Sequence, residues 1–261
     1  MNAENAKISY RPSEEARTGY EAFLKRIIET RNVRTVCDVG GGANPVLPMD
    51  YILERNLEYS VLDISESELK KAPEGYIKIA ADVQSPAFQS GGQKYDLVFS
   101  KMLAEHISNA HQFHLNIAGM LAPGGVAVHF FPTLYAFPFV VNWLIPEFVS
   151  DRLLNIFAPR DRYQHDKFPA YYQWCRGPSR RQFERFKSVG LEVLEYIGFF
   201  GHPGYYRRIP GVSHIHRIIT KYLLSRPNPH LTSFAFVVLT PSGSKKVQAT
   251  EKQEQLVGST T

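Results

Sequence analysis

Residues 36–45 read VCDVGGGANP, in which a short apolar run carries an acid and then turns through three glycines. The run up to Val39 predicts a buried strand, and the residues after Asn44 predict a helix over 45–56, with Asn44 as its N-cap and Pro45 as its first residue. Glycine lets a backbone turn tightly and approach a ligand without a Cβ in the way. The stretch therefore predicts a ligand-binding loop between a strand and a helix.

Two further acids stand at the ends of the next predicted strands. Asp63 follows the second strand, where a carboxylate can accept hydrogen bonds from ribose hydroxyls, an arrangement that suits NAD and S-adenosylmethionine equally. Asp82 closes the run IAADV, where it can accept from the exocyclic amine of adenine while Val83 packs on the ring. The dinucleotide fingerprint GxGxxG would need a glycine where Pro45 stands, so a pyrophosphate-binding loop is disfavoured.

Apolar strands and amphipathic helices alternate outward from this loop. Such an alternation predicts an α/β fold, a doubly wound and mostly parallel sheet with helices on both faces. The 261 residues are enough for one such domain, predicted over 1–240, with a flexible polar tail over 241–261. The predicted strands are 34–39, 58–62, 76–80, 95–100, 126–131, 191–200 and 233–240, and the predicted helices are 14–31, 45–56, 65–72, 104–121 and 179–189.

Five segments together resemble the successive motifs of class I S-adenosylmethionine-dependent methyltransferases: DVGGGANP, YSVLDIS, AADV, YDLVFSKMLAEHI and LAPGGVAVHF. The resemblance covers residues 33–131 and implies a seven-stranded sheet of order 3-2-1-4-5-7-6, with strand 7 antiparallel. It also implies S-adenosylmethionine as cosubstrate. By this resemblance the cosubstrate contacts are Asp38 at the amino group, Gly40, Gly41 and Gly42 at the methionine part, Asp63 and Ile64 at the ribose, Asp82 and Val83 at the adenine, and Ser100, Lys101 and Met102 beside the donor.

Two long connections, 132–178 and 201–230, are expected to leave the edge of the sheet that binds the cosubstrate. Connections of this length at a ligand edge are typical of lids and acceptor pockets. The first is rich in aromatic residues, which make either its own small core or an apolar pocket. The second has five cations and no acid, and its residues 211–224 predict a basic amphipathic helix.

These features favour a small-molecule acceptor that is anionic or amphiphilic, with a sugar or a lipid-linked glycan intermediate as candidates. Peripheral contact with a membrane fits the basic helix, whereas nucleic acid is disfavoured because no RNA-binding signature accompanies the aromatic residues. Two alternatives stay open: an NAD-dependent oxidoreductase, and a membrane-surface binding protein on a methyltransferase-like fold. The two distant cysteines and the polar N-terminus favour a cytoplasmic location.

Methyl transfer to a neutral hydroxyl needs a base, and histidine has the most suitable pKa range. His106 follows the fourth strand, whereas His165 and His202 lie in the long connections, so these three are the catalytic candidates. His111 and His114 have the spacing of a metal pair on a helix, but no third ligand is evident and no metal is expected.

Overall fold

The computed structural model describes residues 6–89, 91–134, 169–202 and 212–243. One sheet contains all the strands of these ranges. They are β1 (Lys7–Pro12), β2 (Thr35–Val39), β3 (Glu58–Asp63), β4 (Ile77–Ala80), β5 (Tyr95–Lys101), β6 (Leu121–Pro132), β7 (Leu191–Phe200) and β8 (Phe234–Pro241).

The strand order across the sheet is β1-β7-β8-β6-β5-β2-β3-β4, and β8 is the strand that runs antiparallel to its two neighbours. The predicted α/β class is confirmed, and the seven predicted strands stand in their predicted order. The predicted count is wrong by one, because β1 pairs in parallel with the free side of β7. Lys7 and Arg11 give β1 the charged pattern of an edge strand, which hides it from a search for buried strands.

Helices cover both faces of the sheet, as predicted. One face packs against α1, with Tyr20, Leu24 and Ile27 in its core, and the other packs against α4, with Phe113 and Ile117. The helices are α1 (Glu14–Arg31), α2 (Met49–Glu54), α3 (Glu66–Lys71), α4 (Ala110–Met120), α5 (Arg180–Ser188) and α6 (Val212–Ser225).

Two predicted helices are shorter than expected. The helix after the glycine loop begins at Met49 and not at Pro45, so Asn44 and Pro45 lie in the loop. The loop continues because the N–H of Val46 turns inward to bond Asp38. The helix predicted over 104–121 divides into a short 3-10 turn at Ala104–His106 and α4, because the side chain of Asn109 caps α4 at the N–H of Gln112.

Helix α1 is tied to both strands of the β5–β6 pair. The hydroxyl of Tyr20 lies 2.9 Å from the carbonyl oxygen of Ser100 and 3.0 Å from that of Val128. Ser13 stands at the N-cap position, where its N–H donates to the carbonyl of Phe200 at 2.9 Å and its side chain makes no capping bond. The end of α1 nearest the ligand edge is therefore fixed in place.

The two long connections are described in part, over 132–134 and 169–178 for the first and 201–202 and 212–230 for the second. Helix α6 occupies the place of the predicted basic helix. Within the described ranges, no helix combines the length and the apolar character needed to cross a membrane.

Candidate active site

The glycine loop lies across the carboxyl ends of β2 and β3. Gly40 and Gly42 have φ of 79° and 46°, in the left-handed region that favours glycine. The N–H of Gly40 donates to the carbonyl of Leu62 at 2.7 Å, which holds the loop against the end of β3.

The loop backbone passes so close to two carboxylates that side chains are excluded. A Cβ on Gly41 would lie 2.9 Å from Oδ2 of Asp38, and a Cβ on Gly42 would lie 3.0 Å from Oδ2 of Asp63. A Cβ on Gly40 would lie 3.0 Å from the side chain of Leu103, so a side chain is excluded there as well. The glycines are thus required by the close approach of the loop to both acids.

Asp38 is a buried carboxyl group whose charge is supported by two donors. Its Oδ2 accepts from the N–H of Val46 at 2.9 Å and from the hydroxyl of Tyr59 at 2.8 Å. Burial raises the pKa of Asp38 to about 6, against the lowering effects of these two bonds and of Lys101. Asp38 is therefore largely ionised at neutral pH and is suited to bind a cation.

Asp63 ends β3 at the same edge, half-buried beside the loop. Its Oδ1 accepts from the N–H of Ser65 at 2.8 Å, and burial raises its pKa. The neighbouring Ile64 is 62% exposed. The carboxylate is thus anchored by backbone donors and has an apolar neighbour that is open to a ligand.

Asp82 lies in the turn after β4, two residues beyond the end of that strand. Its Oδ1 accepts from the N–H of Gln84 at 3.0 Å, which fixes the turn. Val83 is buried and packs in the core on the α4 side, and its carbonyl accepts from the side chain of Asn116 at 2.8 Å. The carboxylate of Asp82 and the backbone beside it are therefore the groups that an adenine ring could contact.

Ser100 and Lys101 lie in β5, and the loop of the predicted donor side begins at Met102. Ser100 is fully buried: its Oγ lies 2.8 Å from Nδ1 of His129, and its carbonyl accepts from the hydroxyl of Tyr20. Met102 has a φ of 54°, uncommon for a residue with a side chain, and its N–H donates to the carbonyl of Phe130 at 2.7 Å. Lys101 lies on the same face of the sheet as Asp38.

The strand order brings these residues together. Strands β5, β2, β3 and β4 are consecutive neighbours and parallel, so their carboxyl ends form one continuous edge. Asp38, Asp63 and Asp82 stand at the ends of three neighbouring strands, which span two strand spacings, roughly 10 Å. The row offers three carboxylates, which can each accept hydrogen bonds from a polar ligand at this edge.

Comparison with known proteins agrees with this arrangement. A family model described as a methyltransferase domain matches residues 11–196. The chain belongs to the methyltransferase-domain family. It is accordingly an enzyme that uses S-adenosylmethionine as its cosubstrate, and the oxidoreductase alternative is set aside.

Solved structures of methyltransferases share the fold at low sequence identity. A S-adenosylmethionine-dependent methyltransferase from Clostridium acetobutylicum is 10% identical with a TM-score of 0.51, covering 87% of this chain and 92% of that one. A putative sarcosine dimethylglycine methyltransferase from Galdieria sulphuraria is 12% identical with a TM-score of 0.50, covering 88% of each. The CcbJ methyltransferase from Streptomyces caelestis is 14% identical with a TM-score of 0.50, covering 86% and 90%. Comparison with curated protein sequences gave no match.

His106 of this methyltransferase lies in the short 3-10 turn after Met102, close to the donor side. Its Nδ1 lies 3.0 Å from the carbonyl oxygen of Pro169, which can only accept, so Nδ1 carries a proton and donates it in this bond. Nε2 lies 3.9 Å from Oε1 of Glu105. Glu105 is buried, and burial raises its pKa to about 8.

His202 is placed far from His106. It follows β7, which is three strands away from β5 in the order β7-β8-β6-β5, roughly 14 Å at the usual strand spacing. Burial, aided by Arg17, lowers the pKa of His202 to about 4, so its ring is neutral at pH 7 and a weaker base than an ordinary histidine. His165 lies outside the described residues, as do Arg207 and Arg208.

Two described aromatic residues of the first connection, Tyr172 and Trp174, pack against the core, whereas Tyr171 is 47% exposed. Tyr172 is buried, and the ring of Trp174 stacks on His114 at 5.0 Å and 21°. His114 points its Nδ1 at the carbonyl of Ala110 in its own helix, at 2.7 Å. Among the described residues no cluster of three potential metal ligands occurs.

Two residues of the site were missed by sequence reasoning. Tyr59 bonds Asp38, and Glu105 is a buried acid beside a candidate base. Tyr59 was detectable in principle, because alternate residues of adjacent parallel strands share a face, which places Tyr59 and Asp38 on one side. The burial of Glu105 depends on a distant segment, since the N–H groups of Tyr171 and Tyr172 bond its backbone carbonyl at 2.7 and 3.0 Å.

Proposed function

We propose that this methyltransferase acts on a small-molecule acceptor that is anionic or amphiphilic, with a charged sugar or a lipid-linked glycan intermediate as candidates. The observation that carries the proposal is the composition of the second connection at the ligand edge. It contains no acid, and in its described part α6 exposes both cations and large apolar side chains. An anionic group is attracted to the cations, and an apolar group to the side chains beside them.

We propose the cosubstrate contacts that the family resemblance implies, and the geometry of the edge is compatible with them. Oδ1 of Asp38 accepts from the amino group of the methionine part, since both of the bonds described above use Oδ2. Asp63, beside the exposed Ile64, accepts from the ribose hydroxyls, and Asp82 accepts from the adenine amine. The backbone of Gly40, Gly41 and Gly42 contacts the methionine part.

When bound, S-adenosylmethionine supplies an electrophilic methyl group on a positively charged sulfur. The protein contributes mainly by holding the acceptor in line with that methyl group and by taking a proton from it where the acceptor is a hydroxyl. His106 is the first candidate for the base, because it lies next to the donor loop and its Nδ1 faces the carbonyl of Pro169, which leaves Nε2 as the nitrogen that could take a proton. His202 and His165 stay candidates in the two connections.

The proposal extends to the whole chain. Residues 1–240 form one methyltransferase domain, with 241–261 as its tail and 132–178 and 201–230 as its caps. A cytoplasmic location is supported by Cys37 and Cys175, which are both unpaired by disulfide and buried.

Calorimetric titration with S-adenosylhomocysteine tests the cosubstrate assignment. The native protein should bind, and Asp63→Ala should weaken binding by at least about tenfold, the worth of one hydrogen bond to a charged group. Asp50→Asn removes a carboxylate from an exposed position on α2 and serves as the control with native affinity. Native protein that fails to bind would refute the site.

Acceptor class is tested by methyl transfer from radiolabelled S-adenosylmethionine to panels of sugar phosphates, glycolipids and neutral sugars. Transfer to an anionic or amphiphilic member is expected, with His106→Gln lowering the rate by about 100-fold or more if His106 is the base. Transfer restricted to neutral, water-soluble acceptors would contradict the proposal.

A further inference from the structure

Helix α6 exposes a continuous row of large apolar side chains. Ile215, Ile218, Ile219 and Tyr222 are 58%, 54%, 51% and 56% exposed. Their spacing of three and four residues places them on one side of the helix, and these four residues are called the apolar stripe. A cluster of this kind on a surface helix is a sign of an interaction site.

The opposite side of α6 holds the helix to the end of β7. Nε2 of His216 accepts from the N–H of His202 at 2.9 Å. The side chain of Thr220, one turn further on, lies 2.9 Å from the position of a Cβ on Gly201. Because His216 and Thr220 face the body of the protein, the apolar stripe faces away from it.

The helix that carries the stripe has cations and no acid. Arg217 and Lys221 stand one turn apart along one flank of the stripe, and Arg226 follows the end of the helix. From residue 196 to residue 250 the sequence has no acid. Among the described residues no carboxylate lies within ion-pair distance of these three cations. Their charge is therefore available to an external anion.

We propose that α6 is a docking helix that lies flat on an anionic lipid surface, with the apolar stripe inserted below the headgroups and Arg217 and Lys221 paired with the phosphates. Charge complementarity selects a negative surface, and the stripe selects one with an apolar layer directly beneath it, which is the make-up of an anionic bilayer. A single-stranded nucleic acid fits less well, because isoleucine offers no flat ring for a base to stack on.

Docking would place the carboxyl edge of the sheet next to the membrane, because Gly201, which packs on α6, directly follows β7 at that edge. This position suits an amphiphilic acceptor, although docking itself rests only on α6 and holds for any acceptor of this enzyme. The lipid surface and the acceptor are thus separately testable.

Sedimentation with sucrose-loaded vesicles tests the proposal on the full chain. The native protein should sediment with vesicles of phosphatidylcholine and phosphatidylglycerol at low salt, and much less with phosphatidylcholine alone. Arg217→Gln with Lys221→Gln should lower the partition coefficient by about 25-fold, at about fivefold for each cation near an anionic surface. Ile215→Gln with Ile218→Gln should lower it by at least about tenfold, at about fourfold or more for each partly inserted side chain.

Matched controls remove the same groups elsewhere. Lys70→Gln with Lys71→Gln takes two cations from α3, and Leu53→Gln removes an apolar side chain that is 68% exposed on α2. Both should sediment like the native protein. Each variant is also titrated with S-adenosylhomocysteine and melted, so that loss of vesicle binding in a folded, cosubstrate-binding protein is specific to the surface.

Three outcomes would overturn the proposal. The first is native protein that stays in the supernatant with anionic vesicles at low salt. The second is equal binding by the Arg217 and Lys221 variant. The third is self-association of the native protein in analytical ultracentrifugation, abolished by the Ile215 and Ile218 variant and without vesicle binding, which would assign the stripe to a second copy of the chain. Native affinity for S-adenosylhomocysteine in any of these cases would leave the proposed function standing.

Discussion

Removing the hydroxyl of Tyr59 should make cosubstrate binding more sensitive to acid. In Tyr59→Phe, Oδ2 of Asp38 loses a donor at 2.8 Å and keeps the N–H of Val46. A hydrogen bond to a charged group contributes about 1.5–3 kcal/mol, equivalent to about one or two pKa units. Since burial and bonding set the native pKa of Asp38 at about 6, the variant should titrate at about 7 to 8.

The magnitude follows from the fraction of Asp38 that is ionised. At pH 7 this fraction is about nine-tenths in the native protein and falls to between about one-half and one-tenth in the variant. If the amino group of S-adenosylhomocysteine binds the ionised form, its Kd at pH 7 should rise about twofold to tenfold. At pH 8.5 Asp38 is mostly ionised in both the native protein and the variant, so their two Kd values should approach each other.

Calorimetric titration with S-adenosylhomocysteine between pH 5.5 and 8.5 measures the effect. Tyr76→Phe is the matched control, since it removes a hydroxyl from a neighbouring ring whose bond goes to the carbonyl of Leu47 at 3.1 Å. Its pH profile should follow that of the native protein. If the ratio of the Kd of Tyr59→Phe to the Kd of the native protein were the same at every pH, the reasoning would be refuted, because the lost hydroxyl would then not act through the ionisation of Asp38.

Further predictions concern the loop and the buried ionisable groups. Gly41→Ala should weaken S-adenosylhomocysteine binding by tenfold or more in calorimetry, because its Cβ would displace Asp38. A Cβ on Gly19 would have nothing within 4 Å, so Gly19→Ala should raise the free energy of unfolding in urea by about 0.5–1 kcal/mol. Glu105→Gln should stabilise the fold at pH 7 by about 3 kcal/mol in urea unfolding and hardly at all at pH 4.5. The reason is that the folded-state pKa of about 8 lies above the ordinary value, so native Glu105 costs stability as pH rises from 4.5 to 8. His114 has the opposite sign: burial lowers its pKa to about 4, so its own contribution to stability should fall by about 3 kcal/mol as pH drops from 6.5 to 4. This contribution is measured as the change with pH in the difference between the unfolding free energies of the native protein and His114→Phe. A difference that is the same at pH 4 and at pH 6.5 would contradict the last prediction.

The order of the strands and helices could be predicted from the sequence because the patterns that specify them are local. The apolar runs that end at Asp38 and Asp63, with glycines between them, specify a strand, a turn and the next strand without reference to the rest of the chain. The positions of these acids along one edge then follow from the rules for parallel sheets.

The remaining features depend on contacts between distant residues. Lys7–Pro12 becomes a strand only because β7 offers it a free side. Asn44 and Pro45 have the residue types of a helix start, yet Asp38 captures the N–H of Val46 and delays the helix to Met49. The side chain of Ser100 is directed into the core by His129, a neighbour in space that lies on the next strand.

The added strand β1 has a practical consequence for work with this protein. It covers the backbone of β7 along its whole second half, and the ring of Tyr10 stacks on Phe200 at 5.2 Å. A version of the chain trimmed to begin at Ser13 would uncover a row of backbone donors and acceptors on β7. Such an open edge can pair with other chains, so the trimmed protein should aggregate on concentration. Affinity tags are better fused before residue 6 than substituted for the segment that follows it.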